Sequence, residues 1–256
     1  MVRKKLKNQQ GNSLNGFQLR GTDNTRIEAL SDGVFAIAIA LLVISSSIPE
    51  TFEQLLIFVE DVVPFAICIT LLIVIWYQHY IFFIRYGLKD ATTVALNTML
   101  LLLILFYVYP LKFLFKILYK LATSLITNDK EALKILFTET MPAEDSPQIM
   151  VIYGIGAALI FISLALLYAY AYRKRKALAL STLEKFDTLT SIKINVLMAA
   201  VPICSVLIAH FELTRNPFSA AGMFYMIYPI IMPAYGIING RARKKLISTL
   251  NNDIVS

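Results

Sequence analysis

Across 256 residues the chain carries 57% hydrophobic and 16% charged side chains, with a formal net charge of +7. Soluble domains sit nearer 45–50% apolar and about 25% charged, so a water-soluble globular fold is excluded. The apolar excess falls in continuous blocks, without the inside–outside alternation of a membrane barrel.

Residues 1–25 hold Arg3, Lys4, Lys5, Lys7 and Arg20 among Asn, Gln, Gly and Ser. No apolar stretch follows the basic start, so this is not a signal peptide, and it reads as a polar cytosolic tail. Six blocks follow, each near the roughly 20 residues that cross a hydrocarbon core as a helix. The first runs about 27–48 and ends at Pro49. The second is about 62–83, led in by the amphipathic segment 52–61. The third, 91–109, stops or kinks at Pro110. Beyond it, Lys112, Lys116 and Lys120 recur every four residues, which predicts an interfacial helix or a snorkelling extension of the third span. Residues 140–147 read as a loop. The fourth span, 150–172, closes on Arg173-Lys174-Arg175-Lys176; the fifth is 194–211 and the sixth 218–238. Pro202, Pro229 and Pro233 fall inside the last two, where neighbouring helices can satisfy the freed carbonyls. The organisation expected is a tail over 1–25, a six-helix domain over 26–240 and a basic cytosolic tail over 241–256. The fold class is all-α, a polytopic membrane protein with six transmembrane helices.

Lysine and arginine set the orientation. With the N-terminus inside, cytoplasmic segments hold 18 of the 24 basic residues, and an even number of spans returns the C-terminus to the same side. The first outer loop has none and carries Glu50, Glu53, Glu60 and Asp61. A cell-membrane location with both termini cytoplasmic follows. The net positive charge then reports inner loops and anionic lipid contact, not nucleic acid. Cys68 and Cys204 lie in different apolar blocks and read as small buried hydrophobes. No zinc-protease, nucleophile-elbow or paired-cysteine motif occurs, so neither a catalytic site nor a metal site is expected and the chain is not read as an enzyme. The Gly236–Gly240 pair permits close helix approach, although chance explains it equally well.

Polar groups inside spans are costly and are functional candidates by default. Asp32, Trp76, His79, Asn97, Asn195 and His210 are those present. By counting residues from the inner membrane face, Asp32, Trp76, His79 and Asn97 fall at one depth. Trp76 and His79 share a helical face. Arg26 and Asp32 lie on different faces, and Glu28 one turn before Asp32 is a like charge, so Asp32 is expected to meet a cation or donor on another helix. Above that level, 34–44 contains no polar side chain. Ile37, Leu41, Ile44 and Ile48 form one stripe, which either packs against other helices or lines an uncharged constriction between subunits.

The run Arg26-Ile-Glu-Ala-Leu30-Ser31-Asp32-Gly33 and the apolar helix after it resemble the first-helix signature of the endolysosomal potassium channel family and its prokaryotic homologues. Trp76-Tyr-Gln-His79 and Asn97 resemble that family too. The resemblance implies six helices per subunit, a homotetramer, and a potassium-conducting pore lined by the first helix without a TVGYG filter; none occurs in this sequence. It places the apolar constriction on Ile37, Leu41 and Ile44, and a polar network beneath it on Arg26, Ser31, Asp32, Trp76, His79 and Asn97. No cofactor is implied beyond a permeant potassium or other monovalent cation. Leu30 replaces the family's Phe, and Ala40 stands where many members have a Thr hydroxyl, which implies weak selectivity. The alternatives are a secondary transporter, which would place broken helices and ionisable groups at the midplane, and a proton-permeable channel using His79.

Overall fold

The computed structural model describes residues 13–21, 23, 25–44, 49–140, 146–214 and 217–255. Arg3, Lys4, Lys5 and Lys7, the 45–48 end of the first span with Ile48, and most of the 140–147 loop lie outside the described residues.

Asn15-Gly16 is the dipeptide that tolerates positive φ at both central positions of a tight hairpin. Their φ values are 52° and 81°, and β1 (Ser13–Leu14) pairs antiparallel with β2 (Phe17–Gln18). Within the segment read as a polar tail, residues 13–21 are therefore structured, and Phe17 is fully buried.

The first span, α1 (Arg26–Ile44), starts at Thr25, whose hydroxyl accepts from the Glu28 N–H (3.2 Å) and donates to the Glu28 carboxylate (3.0 Å). Short α2 (Phe52–Glu60) leads into α3 (Val62–Tyr86). Gly87 ends α3 at φ 58°, a left-handed cap that only glycine adopts cheaply. The third span, α4 (Ala91–Thr127), has 37 residues and continues past Pro110. At 1.5 Å per residue it is about 55 Å long, well beyond a hydrocarbon core of about 30 Å. Pro110 thus does not stop the helix. Two of the lysines beyond it turn inward, Lys112 donating to the Leu42 carbonyl at 2.9 Å and Lys116 pairing with Asp61 at 2.8 Å, whereas Lys120 is exposed. Short α5 (Lys130–Ile135) and a π-helical turn (Leu136–Thr140) follow.

α6 (Ser146–Arg173) and α7 (Thr182–His210) form the most extensive helix pair. α7 starts twelve residues before the apolar block of the fifth span, because Ser181 and Glu184 make a reciprocal capping box. The sixth span is broken into α8 (Pro217–Phe224), a 3₁₀ turn (Tyr225–Ile227) and α9 (Tyr228–Val255). Residues 241–255 continue the last of these as helix. α9 packs mainly on α7, and among the described residues a Cβ on its Gly236 or Gly240 would meet nothing within 4 Å.

One apolar core joins α1, α3, α4 and α6 with Phe17 and Leu180. At the edge of this core next to the α3–α4 turn, Asp90 caps α4 through the Thr93 N–H (2.9 Å) and also accepts from Thr93 Oγ1, Tyr170 and Lys174. Burial opposes its charge, but these donors outweigh it and hold the Asp90 carboxyl well below the usual carboxylate range.

Candidate functional site

α1 shows its neighbours one narrow face. Ser31, Phe35, Ala38 and Leu42 recur at i, i+4, i+7 and i+11 and are buried against α3 and α4. The stripe singled out from the sequence lies on another side of the same helix. Ile37, Leu41 and Ile44 are 55%, 38% and 74% exposed. Among the described residues, no neighbouring helix of the same chain fully covers that stripe. Ala40 and Gly33 are exposed as well.

Five of the six predicted polar residues converge where α1, α3 and α4 meet, and they separate into two parts. The first is a buried chain. Ser31 donates its single hydroxyl proton to the Ile27 carbonyl at 2.8 Å. Ser31 Oγ must therefore accept from Asn97 Nδ2, at 2.9 Å. That orientation turns Asn97 Oδ1 toward His79 Nε2 at 2.7 Å, so Nε2 carries the proton and donates. His79 and Asn97 are each 2% exposed. Phe35 and Phe83 enclose the imidazole with ring centroids at 5.8 and 4.7 Å. A polar group in this setting is tolerated only when its hydrogen bonds are made, and the chain makes them across three helices.

The second part faces outward. Trp76 Nε1 donates to Asp32 Oδ1 at 2.8 Å, which supplies Asp32 with the donor on another helix that its sequence environment required. Trp76 stacks on Tyr80 with centroids 5.8 Å apart. Beside this pair a groove of about 310 Å³ opens between α1 and α3, lined by Phe35, Ala36, Ile39, Leu72 and Ile73. Arg26 does not join either part: it is exposed, and no partner for it occurs among the described residues.

Asn195 and His210 lie elsewhere. Asn195 is buried and donates to the Ser191 carbonyl at 2.8 Å. His210 is exposed at the end of α7 beside Phe211. Among the described residues no three His, Cys, Asp or Glu side chains are grouped to hold a metal ion. Of the acids between the first two spans, Asp61 is neutralised by Lys116, and Glu50, Glu53 and Glu60 are exposed.

Residues 26–107, which contain the whole of this joint, match the family model described as "Endosomal/lysosomal potassium channel TMEM175". A protein of Marivirga tractuosa named "Potassium channel" is 44% identical over 233 residues, covering 90% of this chain and 94% of its own. The chain belongs to the TMEM175 family of potassium channels. The likeness thus extends well past the first three spans, where the sequence signature is concentrated. A crystal structure of a threonine-to-alanine variant of the potassium channel MtTMEM175, bound to a nanobody–MBP fusion, superposes with a TM-score of 0.80 at 44% identity. The match covers 90% of this chain and 99% of that one. A Chamaesiphon minutus homologue of the lysosomal potassium-selective channel TMEM175 is 22% identical with a TM-score of 0.45, over 78% of this chain and 95% of that one. Among the described residues, six helical segments are long and apolar enough to cross a membrane. Membership of a channel family, not of an enzyme family, agrees with the lack of a catalytic motif.

Proposed function

We propose that this chain conducts potassium through a pore enclosed by α1 of several copies, arranged as a homotetramer in the cell membrane with both termini cytoplasmic. The observation that carries the reading is the division of α1 into a packed face and an exposed apolar stripe. Ile37, Leu41 and Ile44 leave their own protomer uncovered, and meeting their counterparts on an axis would make a narrow apolar gate of the kind that closes by dewetting. The Ser31–Asn97–His79 chain and the Asp32–Trp76 pair hold α1 at its inner end, so the polar residues act as anchors for the pore helix. Three exposed outer carboxylates, Glu50, Glu53 and Glu60, raise the cation concentration outside. Ala40, exposed on α1, offers a methyl group where a hydroxyl would assist a partly dehydrated ion. We therefore expect modest potassium preference.

The test combines mass and flux. Purified protein in detergent is expected at four times the 28.8 kDa protomer mass, and in liposomes it is expected to pass potassium without a coupled ion. A monomer would remove the shared pore outright, and flux that requires a counter-ion gradient would favour a secondary transporter. Proton permeability through His79 is checked in the same liposomes by the pH dependence of flux in His79→Ala; an unchanged profile excludes it.

A further inference from the structure

The segment before α1 is built into the protein more deeply than a tail requires. The Arg20 and Gly21 N–H groups both donate to the Ile84 carbonyl, at 3.1 and 3.0 Å, one of the acceptors that the end of α3 leaves free. The seat is backbone against backbone. A Cβ on Gly21 would lie 2.2 Å from the Phe83 carbonyl oxygen, and one on Gly87 would lie 2.7 Å from the Arg20 carbonyl oxygen. Phe17 is buried edge-on against Tyr86 at 5.6 Å, with the Arg85 guanidinium 4.8 Å from its ring.

Side chains extend the attachment. Arg20 grips the buried Glu184 carboxylate with two hydrogen bonds, 2.8 and 3.0 Å, and its Nε reaches the Leu178 carbonyl at 3.0 Å. Gln18 N–H adds a third donor to Glu184 at 2.9 Å. The Asn15 carbonyl accepts from Arg243 of α9 at 2.5 Å. Arg243 is itself forked onto Asp187 of α7 at 2.8 and 3.0 Å.

We propose that residues 13–21 form a strap that positions the pore helix, with Arg20 and Gly21 as its positioning residues. Four residues separate Gly21 from Arg26, a tether of at most about 18 Å. α1 itself packs on α3 and α4; the strap adds α7, the α6–α7 turn and α9 to what its inner end must move with. A shift of α9, scarcely covered within the protomer, is thereby passed to α1. The proposal rests on the reading of α1 as the pore helix.

The test is single-channel recording of the full chain in planar bilayers, with Arg20→Lys, Arg20→Ala, Gly21→Ala, Glu184→Gln and the Arg20→Ala/Glu184→Gln pair, each checked for oligomer mass. Ile37→Asn is recorded alongside. The strap predicts that Arg20→Ala and Gly21→Ala shift the open-to-closed ratio about fivefold or more at unchanged unit conductance. The double variant falls short of the summed single effects. Arg20→Lys, which keeps the charge but not the fork, is intermediate. Gating unchanged in correctly assembled Arg20→Lys and Gly21→Ala, with Ile37→Asn altering unit conductance, overturns the strap and leaves the pore reading intact. Altered unit conductance in the strap variants also overturns it. Ile37→Asn without effect on unit conductance overturns the pore reading instead.

Discussion

Replacing Asn97 by Leu removes the centre of the buried chain at nearly constant volume. Two hydrogen bonds are lost, and their consequences differ. Ser31 keeps its donation to Ile27 and loses only an incoming proton. His79 Nε2–H, which is 2.7 Å from Asn97 Oδ1 in a site enclosed by Phe35 and Phe83, keeps no acceptor. An unsatisfied buried donor costs about 1–3 kcal/mol, and interhelical hydrogen bonds in membranes average about 0.6 kcal/mol each. The expected loss is therefore about 2 kcal/mol. His79→Phe should cost a similar amount by stranding Asn97 Oδ1. The double variant His79→Phe/Asn97→Leu leaves only Ser31, already bonded to Ile27, so its cost should fall below the sum by about 1 kcal/mol or more. The assay is denaturant-induced unfolding of the detergent-solubilised protein across the four-member cycle. Strict additivity would refute the reasoning, because it would mean that His79 and Asn97 do not depend on each other.

Two further predictions use other contacts. Trp76 is the single tryptophan, so its fluorescence reports the Asp32 bond directly: Asp32→Ala should move the emission maximum, Asp32→Asn should largely preserve it, and the exposed setting limits the stability loss to about 1 kcal/mol. An unmoved maximum in Asp32→Ala would show that the bond is absent in solution. Asp90 supplies a pH test. Its carboxyl is depressed in the folded protein, so its contribution is fully present above the unfolded value, near 3.9, and is lost as pH falls below it toward the folded value. Asp90→Asn should lower the melting temperature by a constant amount from pH 8 to about pH 5, and the gap to the parent should narrow below about pH 4. A gap that widens on acidification would contradict the pairing with Lys174.

The membrane spans and the polar joint were legible because each has a one-dimensional signal. Counting residues from the inner face put Asp32, Trp76, His79 and Asn97 at one depth, and helical spacing grouped Ile37, Leu41 and Ile44. What counting does not provide is which side of α1 faces its own protomer. That emerged from Ser31, Phe35, Ala38 and Leu42, whose small or apolar side chains resemble the rest of the helix. Arg26 was placed in the network by resemblance, yet among the described residues it has no partner. The start of α7 was hidden because Lys185, Asp187 and Lys193 lower its hydropathy, although the Ser181-x-x-Glu184 capping box was already in the sequence. The strap was missed for a related reason: basic residues nearby gave it the composition of a tail. Asn15-Gly16 between Leu14 and Phe17 was the local sign of a hairpin. The partners of Arg20, 158 and 164 residues away, leave no local trace.

Thiol accessibility along α1 tests the central claim most directly. In a background with Cys68 and Cys204 replaced, single cysteines at Ile37, Leu41 and Ile44 should let a charged thiol reagent block the current. Cysteines at Ala38 and Leu42 on the packed face should not. Block at Ala38 and Leu42, or no block at Ile37, Leu41 and Ile44, would contradict a pore lined by the exposed stripe of the first helix.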